Sequence, residues 1–267
     1  MLKDITLGQY FPIESPLHRM DPRTKILALI LLIVSIFIAN EPIGYTLTVL
    51  FTLFVVMLSK VPLSMYVRGL KPIWFVIIFT AALNLFLTPG RSIYLLGYET
   101  PMKWEGLFLA GKMALRLMLL IIASSALTYT TSPIVLTDGI EKLLKPFARL
   151  GLPTYELAMM MSIAIRFIPT LIEETEKITK AQKARGADFE SGSLVQRMRA
   201  LAPMLVPLFI SAFRRADELA VAMESRCYQG GDQRTRLNEI HFAGIDSIAA
   251  LITLLFLAAL ITLRILF

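Results

Sequence analysis

The chain has 267 residues, of which 56% are hydrophobic and 18% are charged, and its mean hydropathy is +0.66. Such an apolar average excludes an ordinary soluble domain, whose surface must be polar. The formal net charge of +7 fits the excess of Lys and Arg on the cytoplasmic side of membrane proteins, and no basic run interleaved with aromatic residues indicates nucleic-acid binding.

Five apolar runs approach the length of about 20 residues that crosses a bilayer as a helix. In chain order they are 25–40, 45–59, 72–89, 106–129 and 245–267. The segment 59–72 is predicted to be a loop, and 90–104, with its Pro, Gly and Tyr, a loop or small hairpin. The sequence therefore predicts an all-α polytopic membrane protein with about five transmembrane helices.

Charge placement predicts the orientation of these helices. No apolar run in the first 16 residues is long enough for a signal peptide, so we expect none there. Residues 1–25 and segment 59–72 together hold seven Lys or Arg, against only Arg91 and Lys103 in the intervening connections. The positive-inside rule then puts the N-terminus in the cytoplasm. We expect an N-terminal membrane part with four helices (1–131), a cytoplasmic domain (132–244) and a C-terminal transmembrane helix (245–267).

The middle region contains two further apolar segments, 157–172 and 201–213. Arg166 would cost about 2.5–3.5 kcal/mol at the centre of a span, and the second segment is too short to cross. Each continues into an amphipathic helix, so we expect both helices at the membrane face rather than across it. The first also carries three adaptable apolar side chains in sequence, Met159, Met160 and Met161.

The two amphipathic helices end alike. The first ends at Ala184-Arg185-Gly186 and the second at Ser225-Arg226-Cys227, with the arginines 226 − 185 = 41 residues apart. Gly186 suits the left-handed position after a helix, and Gly230-Gly231 is expected to end the second helix slightly later. An arginine there could complement the helix dipole, or could pair with carboxylates of a two-fold partner.

Other candidate sites are weak. Residues 106–113 fit G-x-x-x-x-G-K, but Met113 cannot supply the hydroxyl that holds Mg²⁺, so we expect no nucleotide site. Lys112 and Arg116 share a face inside the fourth span, where they could pair within the bundle or contact a partner membrane subunit. No catalytic or metal-ligating cluster stands out, so we expect neither an enzyme nor a metal site.

At these residues the sequence resembles a known family, the transmembrane T components (EcfT) of energy-coupling-factor transporters, which are ATP-driven importers of the ABC type. The likeness covers nearly the whole chain and rests on five motifs in order. They are Gly8-Gln9-Tyr10, His18 through Lys25 (HRMDPRTK), Arg166-Phe167-Ile168-Pro169, Ala181 through Gly186 (AQKARG), and Asp217 through Tyr228, which includes AMESRCY.

The resemblance implies a function. The region 132–244 would be a coupling domain, with Arg185 and Arg226 at the ends of two coupling helices that insert into two ATPase subunits, EcfA and its paralogue. A separate membrane-embedded S component would bind the vitamin or micronutrient. This subunit would hold no cofactor, since ATP and Mg would be bound by the ATPases, and it would lie in a bacterial or archaeal cell membrane. Ser225 and Cys227 depart from the family's Ala-Arg-Gly pattern.

Two alternatives stay open from the residues. The chain could be a conventional ABC permease subunit that binds substrate itself, which would need a polar cavity between spans. It could also be an integral membrane scaffold without transport, which would differ from the favoured hypothesis only in its partners.

Overall fold

The computed structural model describes residues 10–95, 98–150, 153–187, 194–230 and 241–266. The chain divides into two compact units, each described here by itself. The bundle unit comprises Gly8–Gly139 and Ile240–Phe267, and the paired-helix unit comprises Met1–Leu7 and Ile140–Glu239. The predicted motif residues Gly8, Gln9 and Gly231 lie outside the described residues.

The bundle unit is helical apart from one antiparallel hairpin. Its strands are β1 (Ser92–Leu95) and β2 (Tyr98–Lys103), which agrees with the hairpin alternative for 90–104. The helices are α1 (Pro16–Arg19), α2 (Pro22–Ile38), α3 (Pro42–Ser59), α4 (Leu63–Leu70), α5 (Trp74–Leu87), α6 (Trp104–Thr130) and α10 (Gly244–Leu266). A single 3₁₀ turn, Lys71–Ile73, joins α4 to α5.

The paired-helix unit contains two long helices, α8 (Thr154–Ala184) and α9 (Leu194–Glu224), of 31 residues each. Helix α7 (Pro133–Leu144) and a 3₁₀ segment (Lys145–Leu150) lead the chain into this unit. The all-α, polytopic fold class is therefore confirmed.

Five helical segments of the described residues are long and apolar enough to cross a membrane, by length and composition. They are Pro42–Ser59, Leu63–Leu87, Trp104–Thr130, Thr154–Ala184 and Gly244–Leu266. Helix α2 has 17 residues, one fewer than α3, yet it packs between α6 and α10 and so must share their environment. Because α8 also qualifies, its placement at the membrane face stays a prediction.

The expected loop at 59–72 is wrong for most of its length, because Leu63–Leu70 forms α4. Tyr66 on this helix is buried, and its hydroxyl contacts the hydroxyl of Ser59 at 3.0 Å. Its ring meets that of Tyr129 edge to face, with centroids 5.2 Å apart. The charged residues of this segment favoured the prediction of a solvent-exposed loop. A single buried tyrosine creates no hydrophobic periodicity, so the sequence pattern did not indicate the helix.

The start of α2 follows from the residue types at that point of the chain. Asp21 is the N-cap, its Oδ1 accepts a hydrogen bond from the Arg23 N–H at 2.8 Å, and Pro22 occupies the first helical position. The Arg23 guanidinium pairs with the same carboxylate at 2.8 Å and lies 3.9 Å from the centre of the Phe242 ring. This cap thereby ties α2 to the segment that precedes α10.

Two buried charges join the ends of three helices here. The Asp246 carboxylate, 2% exposed in the first turn of α10, accepts bonds from the N–H groups of Asp21 and Ala243, both at 2.8 Å. The Lys25 ammonium donates to the Thr130 carbonyl at 2.9 Å and to the Thr131 hydroxyl at 3.1 Å, where α6 ends. Asp246 lies inside the predicted last span, but no sequence pattern indicates that its carboxylate is buried and hydrogen-bonded.

We predict that Lys25→Met lowers the free energy of unfolding by about 3 kcal/mol. The substitution leaves the Thr130 carbonyl and Thr131 hydroxyl without a donor and removes the cation that compensates the buried Asp246. Thermal unfolding in detergent measures the effect. Lys71→Met is the control, because Lys71 is exposed, and equal midpoints for both variants would refute the prediction.

His18 gives this network a pH dependence. Its Nε2–H donates to the Phe11 carbonyl at 2.9 Å, and its Nδ1 lies 2.7 Å from the Ser15 hydroxyl. Burial, chiefly, and the nearby Lys25 charge lower the pKa of His18 below 6.5, although the Phe11 carbonyl opposes the shift. The folded state therefore takes up the proton less readily than the unfolded state does.

The stabilisation from neutral His18 should accordingly be complete above pH 6.5 and be lost as the pH falls through the lowered pKa of the folded state. We expect the thermal midpoint of the wild type to drop more steeply over that acidic range than that of His18→Gln. Parallel pH profiles of the two proteins would show that His18 is not responsible.

Candidate partner-docking site

Helices α8 and α9 run antiparallel. Near the end of α8, Gln182 contacts Pro203, close to the start of α9. Further back along α8, Glu174 pairs with Arg215 at 3.0 Å. Near the start of α8, Met159 contacts Tyr228, just beyond the end of α9. The partners thus follow in opposite order along the two helices.

The end of α8 is a Schellman motif centred on the predicted Ala184-Arg185-Gly186 sequence. The Ala187 N–H donates to the Gln182 carbonyl and the Gly186 N–H to the Lys183 carbonyl, both at 3.0 Å. Gly186 has φ +87°, which a side chain would strain, and a Cβ there would meet nothing within 4 Å. Glycine is thus needed for backbone conformation and not for space.

The end of α9 repeats the motif without glycine. The Tyr228 N–H donates to the Met223 carbonyl at 3.0 Å, and the Cys227 N–H to the Glu224 carbonyl at 2.9 Å. Cys227 itself adopts the left-handed conformation with φ +58°. The expectation that Gly230-Gly231 ends this helix is therefore wrong, because the helix already turns at Cys227.

Arg185 and Arg226 hold the same C-cap position in the two motifs, and both are exposed. Among the described residues, neither guanidinium makes an ion pair with a carboxylate. Because the helices are antiparallel, the two arginines lie at opposite ends of the pair. The 26 residues from Met159 to Arg185 correspond to about 39 Å at 1.5 Å per residue. Within the described residues, the unit thus presents two cations without a carboxylate partner at widely separated, chemically matching tips.

Gln182 links the first tip to the neighbouring helix. In a regular helix the Pro203 carbonyl would accept from residue 207, but Pro207 has no N–H. The Gln182 side-chain amide supplies the missing donor, at 3.2 Å from that carbonyl. The AQKARG motif therefore contains both the cap of α8 and its attachment to α9.

The three predicted methionines differ in their surroundings. Met159 is half-buried, and its sulfur accepts a hydrogen bond from the Tyr228 hydroxyl at 2.9 Å. Met160 and Met161 are exposed. Only the first therefore has a packing role within the unit, and the other two are available surface.

A second apolar face on α9 was missed from the sequence. Leu208 and Ala212, on one face of this helix, are half-buried. The spacing i, i+3, i+4, i+7 places four more on another face, namely Val206, Phe209, Ile210 and Phe213, which are 57% to 69% exposed. Four adjacent large apolar side chains left uncovered indicate a partner or lipid surface.

Lys112 and Arg116 lie in the bundle unit, near the α2–α3 turn. The Lys112 ammonium donates to the Asn40 carbonyl at 2.8 Å, and Arg116 Nη2 donates to the Tyr45 hydroxyl at 2.9 Å. Both cations therefore contact the bundle itself. Whether either also meets another subunit stays a prediction.

The nucleotide-like match has a structural explanation. Helix α6 is continuous through 106–113 and forms no phosphate-binding loop. A Cβ on Gly106 would lie 2.7 Å from the Asn84 carbonyl, so glycine is needed where α5 approaches. In the described part of the chain, no group of three or more His, Cys, Asp or Glu could hold a metal ion.

Comparison with known proteins places these features in one family. Residues 14–237 match the CbiQ family, described as cobalt transport protein. Relatives that match over nearly their whole length include several named energy-coupling factor transporter transmembrane protein EcfT. The chain is 55% identical to the one from Clostridium kluyveri (99% of this chain, 98% of that one), 50% to that of Acidaminococcus fermentans (99% and 98%) and 47% to that of Bacillus subtilis (98% and 98%).

We predict that Cys227→Gly stabilises the end of α9. A non-glycine residue costs about 1–2 kcal/mol in the left-handed conformation, and the greater freedom of glycine in the unfolded chain offsets about half of that. Amide exchange of Tyr228 should slow several-fold. Cys227→Ala removes the thiol but keeps the strain, so it should match the wild type, and equal exchange in the Gly and Ala variants would contradict the prediction.

Proposed function

This chain belongs to the family of energy-coupling factor transporter transmembrane proteins, and we propose that it couples ATP hydrolysis by two partner ATPases to movement of a separate substrate-binding membrane protein. It is a multi-pass membrane subunit of a transporter. The identity of the partners and the transmission of force are the proposed parts. The two exposed arginine tips, which have no carboxylate partner among the described residues, carry the proposal.

The ATPase contacts are assigned to those tips. Arg185 and Arg226 end equivalent Schellman motifs, and each presents a guanidinium with no carboxylate partner among the described residues. A guanidinium pairs bidentately with carboxylates, so each tip suits an acidic groove. Two matching tips at opposite ends of an antiparallel pair suit a partner with two equivalent grooves, such as an ATPase dimer of EcfA and its paralogue.

The exposed apolar face of α9 is assigned to the substrate-binding S component. Val206, Phe209, Ile210 and Phe213 form a continuous apolar stripe that a membrane protein could cover. Met160 and Met161 add flexible apolar contacts on α8. A largely apolar contact can slide or tilt without breaking directional bonds, which suits a partner that must reorient during transport.

The mechanism follows from these two contacts. Binding of ATP closes the ATPase pair and moves the grooves that hold the arginine tips. The Glu174–Arg215 ion pair and the Gln182–Pro203 contact link α8 to α9, so motion of one tip is transmitted to the other helix. The apolar stripe moves with α9 and tilts the S component, which releases a vitamin or micronutrient into the cytoplasm.

This subunit would then perform no chemistry of its own. ATP and Mg²⁺ would be held by the ATPases, and the substrate by the S component. The N-terminus and the region 132–244 would lie in the cytoplasm of a bacterial or archaeal cell, as the positive-inside rule predicts.

The conventional-permease alternative is less well supported. A cavity of about 260 Å³ lies between α2, α3, α6 and α10 in the bundle unit. Its lining is almost wholly apolar, with Lys25, Thr130 and Thr253 as the polar side chains, and the Lys25 ammonium already bonds to the end of α6. Such a lining offers little to recognise a polar micronutrient.

We predict that Arg185→Glu reduces copurification of the ATPases at least tenfold, because it loses a charge-assisted pair and introduces like-charge repulsion. Arg226→Glu should reduce it similarly. Affinity purification of the tagged subunit with its partners, followed by quantification of each ATPase, measures the effect.

Lys180→Glu is the matched control, since it reverses an exposed charge on α8 about one turn before the tip. It should retain the ATPases. Full copurification and transport in both arginine variants would overturn the assignment, as would equal loss in Lys180→Glu.

A further inference from the structure

The bundle unit has a notch at the end where α6 begins. Helix α6 has 27 residues, whereas α2 and α3 have 17 and 18, which correspond to about 40 Å against about 26 Å at 1.5 Å per residue. The α2–α3 turn does not reach the first residue of α6, since Asn40 in that turn bonds to Lys112, eight residues into α6. The Lys112 side chain itself reaches back towards the helix start, so about the first turn of α6 projects beyond the α2–α3 turn.

The floor of this notch carries two cations. Side chains on a helix tilt towards its N-terminus, so Lys112 and Arg116 are directed towards the start of α6 and the adjacent membrane surface. Arg116 Nη2 bonds to the Tyr45 hydroxyl, but its Nε is buried with no hydrogen-bond partner. Among the described residues neither cation has a carboxylate partner. Two adjacent cations without a carboxylate partner favour the binding of an anion.

Two carboxylates lie near these cations, but neither pairs with them. Glu41 belongs to the same turn, but it lines a different cavity, of about 160 Å³, together with Arg264 of α10. Glu105, in the first turn of α6, accepts a hydrogen bond from the Arg91 N–H at 2.7 Å. The anion would therefore have to come from outside the described chain.

An apolar groove adjoins the cations. A cavity of about 330 Å³ lies between the start of α3 and the first turns of α6, and Lys112 lines it beside Trp104, Leu107, Phe108 and Gly111. Trp104 and Phe108 are about 60% exposed, and Phe108 also lies 4.7 Å from the Lys112 ammonium. A tryptophan at this position marks the interfacial region of a bilayer. Cations at one end and an apolar groove at the other match an amphiphile with an anionic head.

We propose that the notch binds one anionic phospholipid from the leaflet in which α6 begins. Its phosphate lies beside Lys112 on the side of the Arg116 charge, and one acyl chain lies along the groove past Gly111. The lipid fills the space that the short α2–α3 hairpin leaves. It thereby compensates for the difference between the length of this hairpin and the thickness of the bilayer. This binding does not depend on the proposed coupling to ATPases.

The test compares lipids that share acyl chains. Native mass spectrometry of the full-length chain in detergent is carried out with palmitoyl-oleoyl phosphatidylglycerol and, in parallel, with palmitoyl-oleoyl phosphatidylcholine. We expect one phosphatidylglycerol to bind at least fivefold more tightly. The double variant Lys112→Gln/Arg116→Gln should bind it at least tenfold more weakly, whereas Arg91→Gln, an exposed cation in the hairpin region, should bind as the wild type does.

A second variant tests the groove and leaves the cations intact. A Cβ on Gly111 meets nothing within 4 Å, and Gly111 lines the groove, so we expect the ring of Gly111→Phe to occupy the groove, with Gly111→Ala as its control. Only the Phe variant should lose the lipid, and inorganic phosphate should not displace it. Equal binding of both lipids, phosphatidylglycerol binding unchanged in the double variant or in Gly111→Phe, or displacement by inorganic phosphate would overturn the proposal. If either variant lost a copurifying small membrane protein but still bound phosphatidylglycerol, the proposal would also be overturned.

Discussion

The fold depends on a pair of buried charges that closes the bundle unit on itself. The chain leaves that unit after α7 begins, forms α8 and α9, and returns just before α10. Asp246 in the returning helix binds the backbone of Asp21, 225 residues away, and Lys25 binds the end of α6. Buried charges are costly unless they are compensated and hydrogen-bonded, so the bonds that these two groups make hold the junction together. The long excursion therefore begins and ends at a fixed place.

Local chemistry made several features predictable. Asp21-Pro22 is a helix start and Arg185-Gly186 a helix end, because capping requires particular residue types at particular positions. Long apolar runs gave the helices of the bundle to within a few residues. The family resemblance, which rests on the order of the motifs, is confirmed by the comparisons.

Features that depend on distant partners were not predictable from the same reasoning. The role of Asp246 depends on its hydrogen bond from the backbone of Asp21, which is distant in the sequence. The turn at Cys227 contradicts the preference of cysteine for negative φ. The exposed stripe at Val206 through Phe213 was hidden because α9 has two apolar faces, and only packing shows which one α8 covers. The predicted roles of Arg185, Arg226, Lys112 and Arg116 stay predictions, since each requires a partner to test it.

The prolines within α8 and α9 give the pair a mechanical character. A backbone hydrogen bond is missing at each of three prolines inside these helices, Pro169, Pro203 and Pro207. The helices are therefore expected to bend more easily at these positions than elsewhere. From Pro207 to the Arg226 tip, α9 is an unbroken lever of about 28 Å. A force applied at that tip would reach the residues around Phe209 through continuous helix, and bending would be concentrated at the proline pair, where the Gln182 amide holds α8 to α9.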